Sequence, residues 1–132
     1  MTDILIYETG GGGDLFLRGN EIVTVNGFEN VPYLSMFGGK SWWGNFLIPD
    51  NPFTCVTEEL LNTIVLNSAS RLKIEAAVKT DLSFLDDIEG TEYTINVSIA
   101  APDKLSIVIT INGQTFNLIW NPDTLFLTYI VP

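Results

Sequence analysis

The chain has 132 residues, 46% of them hydrophobic and 17% charged. That balance excludes intrinsic disorder and leaves enough apolar side chain for one core of ordinary domain size. Sixteen Asp and Glu against six Lys and Arg give a net charge of −10, which makes nucleic acid and anionic membranes poor partners, because both require a cationic face. A single cysteine, Cys55, excludes an internal disulfide and fits a reducing cytoplasm. The absence of histidine removes the commonest general base and the commonest transition-metal ligand.

The N-terminus, Met1-Thr2-Asp3-Ile4, has no basic region and no cleavable apolar stretch. No apolar run approaches the ~20 residues that span a bilayer, so the expectation is a soluble protein without a classical secretion signal. The first 26 residues read as β. Ile4–Tyr7 is a short apolar run, and Gly10–Gly13 is a break in which four glycines leave the backbone unrestricted. Asp14–Leu17 and Glu21–Val25 flank Arg18-Gly19-Asn20, a hairpin loop whose Gly and Asn tolerate positive φ, and Asn26-Gly27 supplies another turn. Val31–Phe37 is compatible with a short helix starting near Pro32 or with extended chain. Gly38-Gly39-Lys40-Ser41 breaks it, Trp42-Trp43-Gly44 follows, and Pro49-Asp50-Asn51-Pro52 is a loop.

Residues 57–87 read as two helices. Thr57 is placed to cap the first, with Glu58 and Glu59 favourable against the dipole and Leu60, Leu61, Ile64 and Val65 as its apolar face. Asn67-Ser68 offers a break and a fresh cap. Ile74, Ala77, Val78, Leu82 and Leu85 then recur at three- and four-residue steps, and Asp86-Asp87-Ile88-Glu89-Gly90 ends the second helix.

The last third is β. Tyr93, Ile95, Val97 and Ile99 alternate with Glu92, Thr94, Asn96 and Ser98, a strand with one buried face. Ala101-Pro102-Asp103 is a turn. Asn112-Gly113 between two apolar runs specifies a two-residue hairpin, since both turn residues need positive φ. Closing it pairs Ile111 with Gln114, Ile109 with Phe116, Ile107 with Leu118 and Leu105 with Trp120 on one face. Thr110–Thr115 and Val108–Asn117 fall on the other. A slip of one residue destroys the agreement. Thr124–Val131 reads as a final strand. No repeat or long linker divides the chain, so the expectation is a single domain over 1–132 of the α+β class: an N-terminal β-hairpin, two central helices and a C-terminal antiparallel β-meander.

Three features carry a resemblance to a known family. The first is the hairpin Gly13-Asp14-Leu15-Phe16-Leu17 and Gly19-Asn20-Glu21-Ile22-Val23, closed by Gly27. The second is Trp42-Trp43-Gly44 ahead of a Pro/Asn/Asp loop. The third is the helical segment 57–87 followed by a β-meander. In this order they resemble the baseplate wedge proteins of Mu-like contractile phage tails, which are similar in turn to the T-even wedge protein once called lysozyme-like. Where many members carry a Thr-Asp-Arg-Arg-like stretch, this chain has the shorter and less charged Ser35-Met36-Phe37-Gly38-Gly39-Lys40. The resemblance implies a non-catalytic virion subunit, made in the bacterial host cytoplasm and built into the tail baseplate. Its partners would be other baseplate, tube or sheath proteins, with no nucleic acid, membrane or cofactor, and any oligomer would form only in the assembled particle. Family relatives contribute strands to intermolecular sheets, which makes the C-terminal strand, with Phe126 and Tyr129, a candidate contact.

Trp42, Trp43 and Gly44 are the other candidate partner-binding residues, because Trp is enriched at interface hot spots. The competing reading is that one Trp fills the core while Gly44 permits a tight turn; adjacent residues on extended chain face opposite ways, so both readings can hold. A carboxylate-based cell-wall hydrolase is the alternative function. Glu58 and Glu59, or Asp86, Asp87 and Glu89, would be its acids, although helix electrostatics and a solvated turn account for them more simply. The spacing of Asp86, Asp87, Glu89 and Glu92 does not match a calcium loop. Gly10–Gly13 lacks the Lys-Ser/Thr and helix of a phosphate loop, and Cys55 has no histidine to activate it.

Overall fold

The computed structural model describes residues 2–8, 13–37, 43–50 and 55–130. Six short strands come first: β1 (Thr2–Ile4), β2 (Ile6–Glu8), β3 (Gly13–Leu15), β4 (Leu17–Arg18), β5 (Glu21–Ile22) and β6 (Thr24–Asn26). Then come α1 (Val31–Phe37), a 3₁₀ turn (Trp43–Leu47), α2 (Thr57–Leu61), α3 (Ser68–Asp81) and a second 3₁₀ turn (Ser83–Asp87). The chain ends in β7 (Tyr93–Ala101), β8 (Lys104–Ile111), β9 (Gln114–Asn121) and β10 (Phe126–Ile130). Helices and antiparallel strands are segregated, which makes this an α+β protein.

The C-terminal sheet has the order β10-β9-β8-β7, a meander in which every neighbour is antiparallel. Its β8–β9 register is the expected one, from Leu105 opposite Trp120 to Ile111 opposite Gln114. Asn112 and Gly113 both have positive φ, 47° and 86°, which is the backbone that a two-residue hairpin turn with the twist of the strands demands. Leu105, Ile107, Ile109, Ile111, Val97, Phe116, Leu118, Trp120 and Leu127 line the buried face. Tyr33 and Met36 of α1, Leu61 of α2, and Ile74 and Val78 of α3 complete the same cluster. Tyr33 stacks on Phe37 at 6.1 Å between ring centroids, and Phe37 meets Trp120 at 6.3 Å, distances at which aromatic pairs attract.

The helical region departs from expectation in three ways. Val31–Phe37, open between helix and strand in the sequence, is a helix, with Pro32 in the first turn, where its missing N–H costs nothing. The described residues therefore hold three α-helices rather than two. Thr57 does not cap α2: Val56 is the N-cap residue, and the Asp81 carboxylate accepts from the Val56 and Thr57 N–H groups, both at 2.8 Å. The Thr57 hydroxyl is buried and finds no partner among the described residues. A carboxylate at the far end of α3 satisfies two orphan amides with more charge than a local hydroxyl brings. The apolar stripe on the second helix runs as expected through Leu85, but the α-helix stops at Asp81 and the last turn tightens to 3₁₀. Asn67 does cap α3, in a reciprocal box with Ser70.

The N-terminal unit is more than the expected hairpin. Leu17 and Arg18 do pair with Ile22 and Glu21 around Gly19-Asn20. The remainder of each strand turns elsewhere: Gly13–Leu15 pairs with Ile6–Glu8, and Thr24–Asn26 pairs with Thr2–Ile4. Three two-stranded arms thus meet at one point. There Leu5 N–H donates to Val23, Val23 N–H to Phe16 and Phe16 N–H to Leu5, a closed ring of three 3.0 Å bonds. The chain changes partner across Leu5, from β6 along β1 to β3 along β2, which leaves backbone groups of Ile4 and Ile6 without a strand. Buried Asn30 supplies the missing pairing: its Oδ1 accepts from Ile6 N–H at 3.0 Å, and its Nδ2 donates to Ile4 C=O at 2.6 Å and to Asp3 at 3.0 Å.

Gln114, the polar exception on the inner face of the hairpin, ties this unit to the sheet. Its Oε1 accepts from Phe28 N–H at 3.2 Å and its Nε2 donates to Glu29 at 3.3 Å. It also explains Gly27, whose φ is 109° and whose absent Cβ would lie 2.7 Å from the Gln114 Oε1.

Candidate partner-docking site

Trp42 lies outside the described residues. Trp43 and Gly44 open the 3₁₀ turn Trp43–Leu47 rather than an extended stretch, so Gly44 is inside a helical turn. Three residues that the sequence reading passed over stand out in this segment. Phe46 is 86% exposed, Leu47 67% and Ile48 43%. A 3₁₀ turn advances about three residues per revolution, so a five-residue turn cannot turn one apolar stripe inward and leave the rest polar. The signal was present in the sequence as an apolar triplet between Asn45 and Pro49, a loop position where polar residues are the rule.

Phe126 and Tyr129 both lie in β10, opposite Asn121 and Leu118 of β9. β10 is an outer strand of the sheet. Its other side has no ladder partner among the described residues, although β2 lies close to it. The final strand, expected over Thr124–Val131, begins only at Phe126, because Thr124 and Leu125, the latter with φ 54°, belong to the preceding turn, and Val131 lies outside the described residues; it sits at an edge, the position from which strands are shared between chains.

The acids fall into two places. Glu58 and Glu59 occupy the first turn of α2, where Glu58 accepts from the buried Cys55 thiol at 3.7 Å. Asp86 and Glu92 face a cleft of about 460 Å³ between α3 and β7, lined also by Glu75, Lys79, Thr91, Tyr93 and Ile95. Burial raises the Tyr93 phenol above its ordinary value, and its hydrogen bond to Asp86 and the charge of that carboxylate push the same way. The phenol therefore stays protonated and donates to Asp86. Glu75 is engaged with Arg71 at 3.2 Å, and Arg71 also donates to the Val97 carbonyl at 3.4 Å on the outer side of β7. Among the described residues no three acidic or cysteine side chains gather closely enough to hold a metal ion, and no helix is long and apolar enough to cross a membrane.

No family model, no curated protein and no solved structure matches this chain.

Proposed function

We propose that the chain is a structural subunit of a contractile phage tail baseplate, seated in the wedge and joining the baseplate to tube or sheath through protein–protein contacts. The observation that carries the reading is the exposed apolar segment Phe46–Ile48, three residues on from Trp43 in the chain. Leaving Phe46 and Leu47 uncovered forgoes at most about 1.5–3 kcal/mol each, and the half-covered Ile48 less; the ordinary reason for such a run on a surface is a partner that covers it. The order of motifs in the sequence points to the same assembly, and the edge position of β10 suits a subunit that shares a sheet with its neighbour.

Mass spectrometry of purified particles from the source phage or induced host is the test. The expected result is this chain in about six copies per particle, following the symmetry of the wedge, with Phe46→Ser folded but missing from particles. Absence of the wild-type chain from particles overturns the reading. A carboxylate-based cell-wall hydrolase is the second reading, favoured by the cleft that holds Asp86 and Glu92. Release of soluble fragments from purified cell wall by the wild-type chain, lost in Asp86→Asn, would put it first.

A further inference from the structure

β7 is an outer strand of the C-terminal sheet, and its ladder shows which backbone groups face away from β8. In an antiparallel pair, successive residues turn their N–H and C=O groups alternately toward the neighbour and away from it. The two-residue turn Asn112-Gly113 makes Ile111 and Gln114 a bonded pair. Ile111, Ile109 and Ile107 therefore bond to β9, and Thr110, Val108 and Ser106 bond to Thr94, Asn96 and Ser98 of β7. Glu92 continues that series: its carbonyl accepts from Asn112 N–H at 2.9 Å, and its N–H donates to Asn112 Oδ1 at 2.8 Å. Tyr93, Ile95 and Val97 thus turn their N–H and C=O groups outward. Arg71 on the Val97 carbonyl agrees with this. The outward groups of Tyr93 and Ile95 have no strand or side chain on them among the described residues.

Edge strands ordinarily carry a Lys, a Pro or a bulge that stops another strand from adding. Tyr93–Ser98 has none of these, and the register shift of β7 comes only beyond Ile99. At Val97, α3 is close enough for Arg71 to reach the strand. At Tyr93 and Ile95 the cleft of about 460 Å³ lies between the two elements. A strand edge with open main-chain groups beside a groove is the arrangement to which an extended peptide adds as a further strand.

Side chains alternate along an added strand, so every second one enters the cleft. The Tyr93 and Ile95 side chains offer it a part-apolar wall. Glu75, Asp86 and Glu92 stand around it against one cation, Lys79. Arg71 offsets Glu75 at 3.2 Å, which leaves Asp86 and Glu92 in excess of Lys79. A Lys or Arg side chain fits both features, with its stem along Ile95 and Tyr93 and its charged head at Asp86 and Glu92.

We propose that the β7 edge at Tyr93 and Ile95 binds an extended peptide segment of a partner protein as an added strand, with a Lys or Arg side chain of that segment in the cleft. The proposal takes the cleft as a peptide groove and not as a hydrolase centre. It uses a surface other than Phe46–Ile48 and β10, and it stands whether or not the chain belongs to a phage particle. Main-chain pairing supplies adhesion, and the acidic cleft selects the side chain.

The test selects a yeast-displayed library of random heptapeptides against the full chain, then synthesises the enriched peptides. They are expected to carry Lys or Arg at one common position. Added to the ¹⁵N-labelled chain, they should move the amide resonances of Tyr93 and Ile95 more than those of Thr94 and Asn96, which are already bonded to β8. Replacing the basic residue by Glu, or N-methylating the peptide amide next to it, should each weaken binding about tenfold or more. Asp86→Asn should weaken it similarly, whereas Asp103→Asn, in the turn at the far end of β7, should not; circular dichroism confirms that both variants are folded. Failure to enrich any peptide, enrichment without a basic residue, resonance shifts away from β7, or binding indifferent to N-methylation at every position would each overturn the proposal.

Discussion

The sheet β7–β10 and the unit β1–β6 are both antiparallel β, yet they are held together differently. In the sheet, β7, β8 and β9 are eight or nine residues long, and β8 and β9 bury every second residue along one face. In the N-terminal unit the strands span two or three described residues each, and the pairing changes partner at the junction. The first is stabilised mainly by apolar burial. The second depends on a ring of three backbone bonds and on one buried amide, Asn30, that stands in for the strand the geometry omits. The comparison teaches that a long ladder needs only pattern and a turn, whereas a junction needs a specific polar side chain at its centre.

Phe116→Ala should have the largest effect and tests whether the sheet is the foundation. Phe116 is completely buried opposite Ile109, and truncation of such a residue costs about 3–5 kcal/mol. Urea unfolding should show this loss in a single transition, with the N-terminal amides losing protection together with the sheet. A loss below about 1 kcal/mol would mean that the sheet is not the main core. Asn30→Ala should cost less, about 2 kcal/mol, because it strands the Ile6 N–H and the Ile4 carbonyl. Its signature is location: hydrogen exchange should quicken across 2–26 and stay unchanged across β8 and β9. Uniform quickening would break the comparison, since the two regions would then be one cooperative unit.

The same contrast explains what could be read from the sequence. Alternation of Tyr93, Ile95, Val97 and Ile99, together with Asn112-Gly113, specifies the meander down to its register, because a slip would expose Ile107, Ile109, Phe116 and Leu118. The helical stripe Ile74, Ala77, Val78, Leu82 and Leu85 was legible for the same reason, and all five residues are buried. At the N-terminus the local pattern marked the turn at Gly19-Asn20 but not the exchange of partners at Leu5, Phe16 and Val23, since alternation says which way a side chain turns and not which strand lies beside it. Asn30 and Asp81 were missed because each acts on backbone groups far away in sequence: Asn30 on Ile4 and Ile6, and Asp81 on Val56 and Thr57. Of the candidate site, the edge strand carrying Phe126 and Tyr129 was foreseen. Phe46–Ile48 was not, because a triplet is too short to display a period.

Asp81→Ala sharpens the comparison from the helical side. It removes the acceptor of two N–H groups at the start of α2, and the loss of a cap costs about 1 kcal/mol. The effect should appear as faster exchange at Val56 and Thr57, with both β regions untouched. Asp81→Asn retains one carbonyl acceptor and should recover about half of the loss. Equal loss in both variants would show that two accepting oxygens are required.

The smallest effect concerns Tyr93, where β7 begins beside the acidic cleft. Burial, then the hydrogen bond to Asp86 and the charge of that carboxylate, hold the folded phenol above its ordinary 10.0. The unfolded chain therefore releases this proton at a lower pH than the folded one. Stability from this group is fully present below the unfolded value and is lost as pH rises through the folded one. Tyr93→Phe should remove that alkaline loss. The stability difference between wild type and variant should be constant up to about pH 9 and shift against the wild type toward about pH 11. A difference independent of pH across that window would mean that neither burial nor Asp86 holds the Tyr93 phenol above its ordinary value in the folded chain.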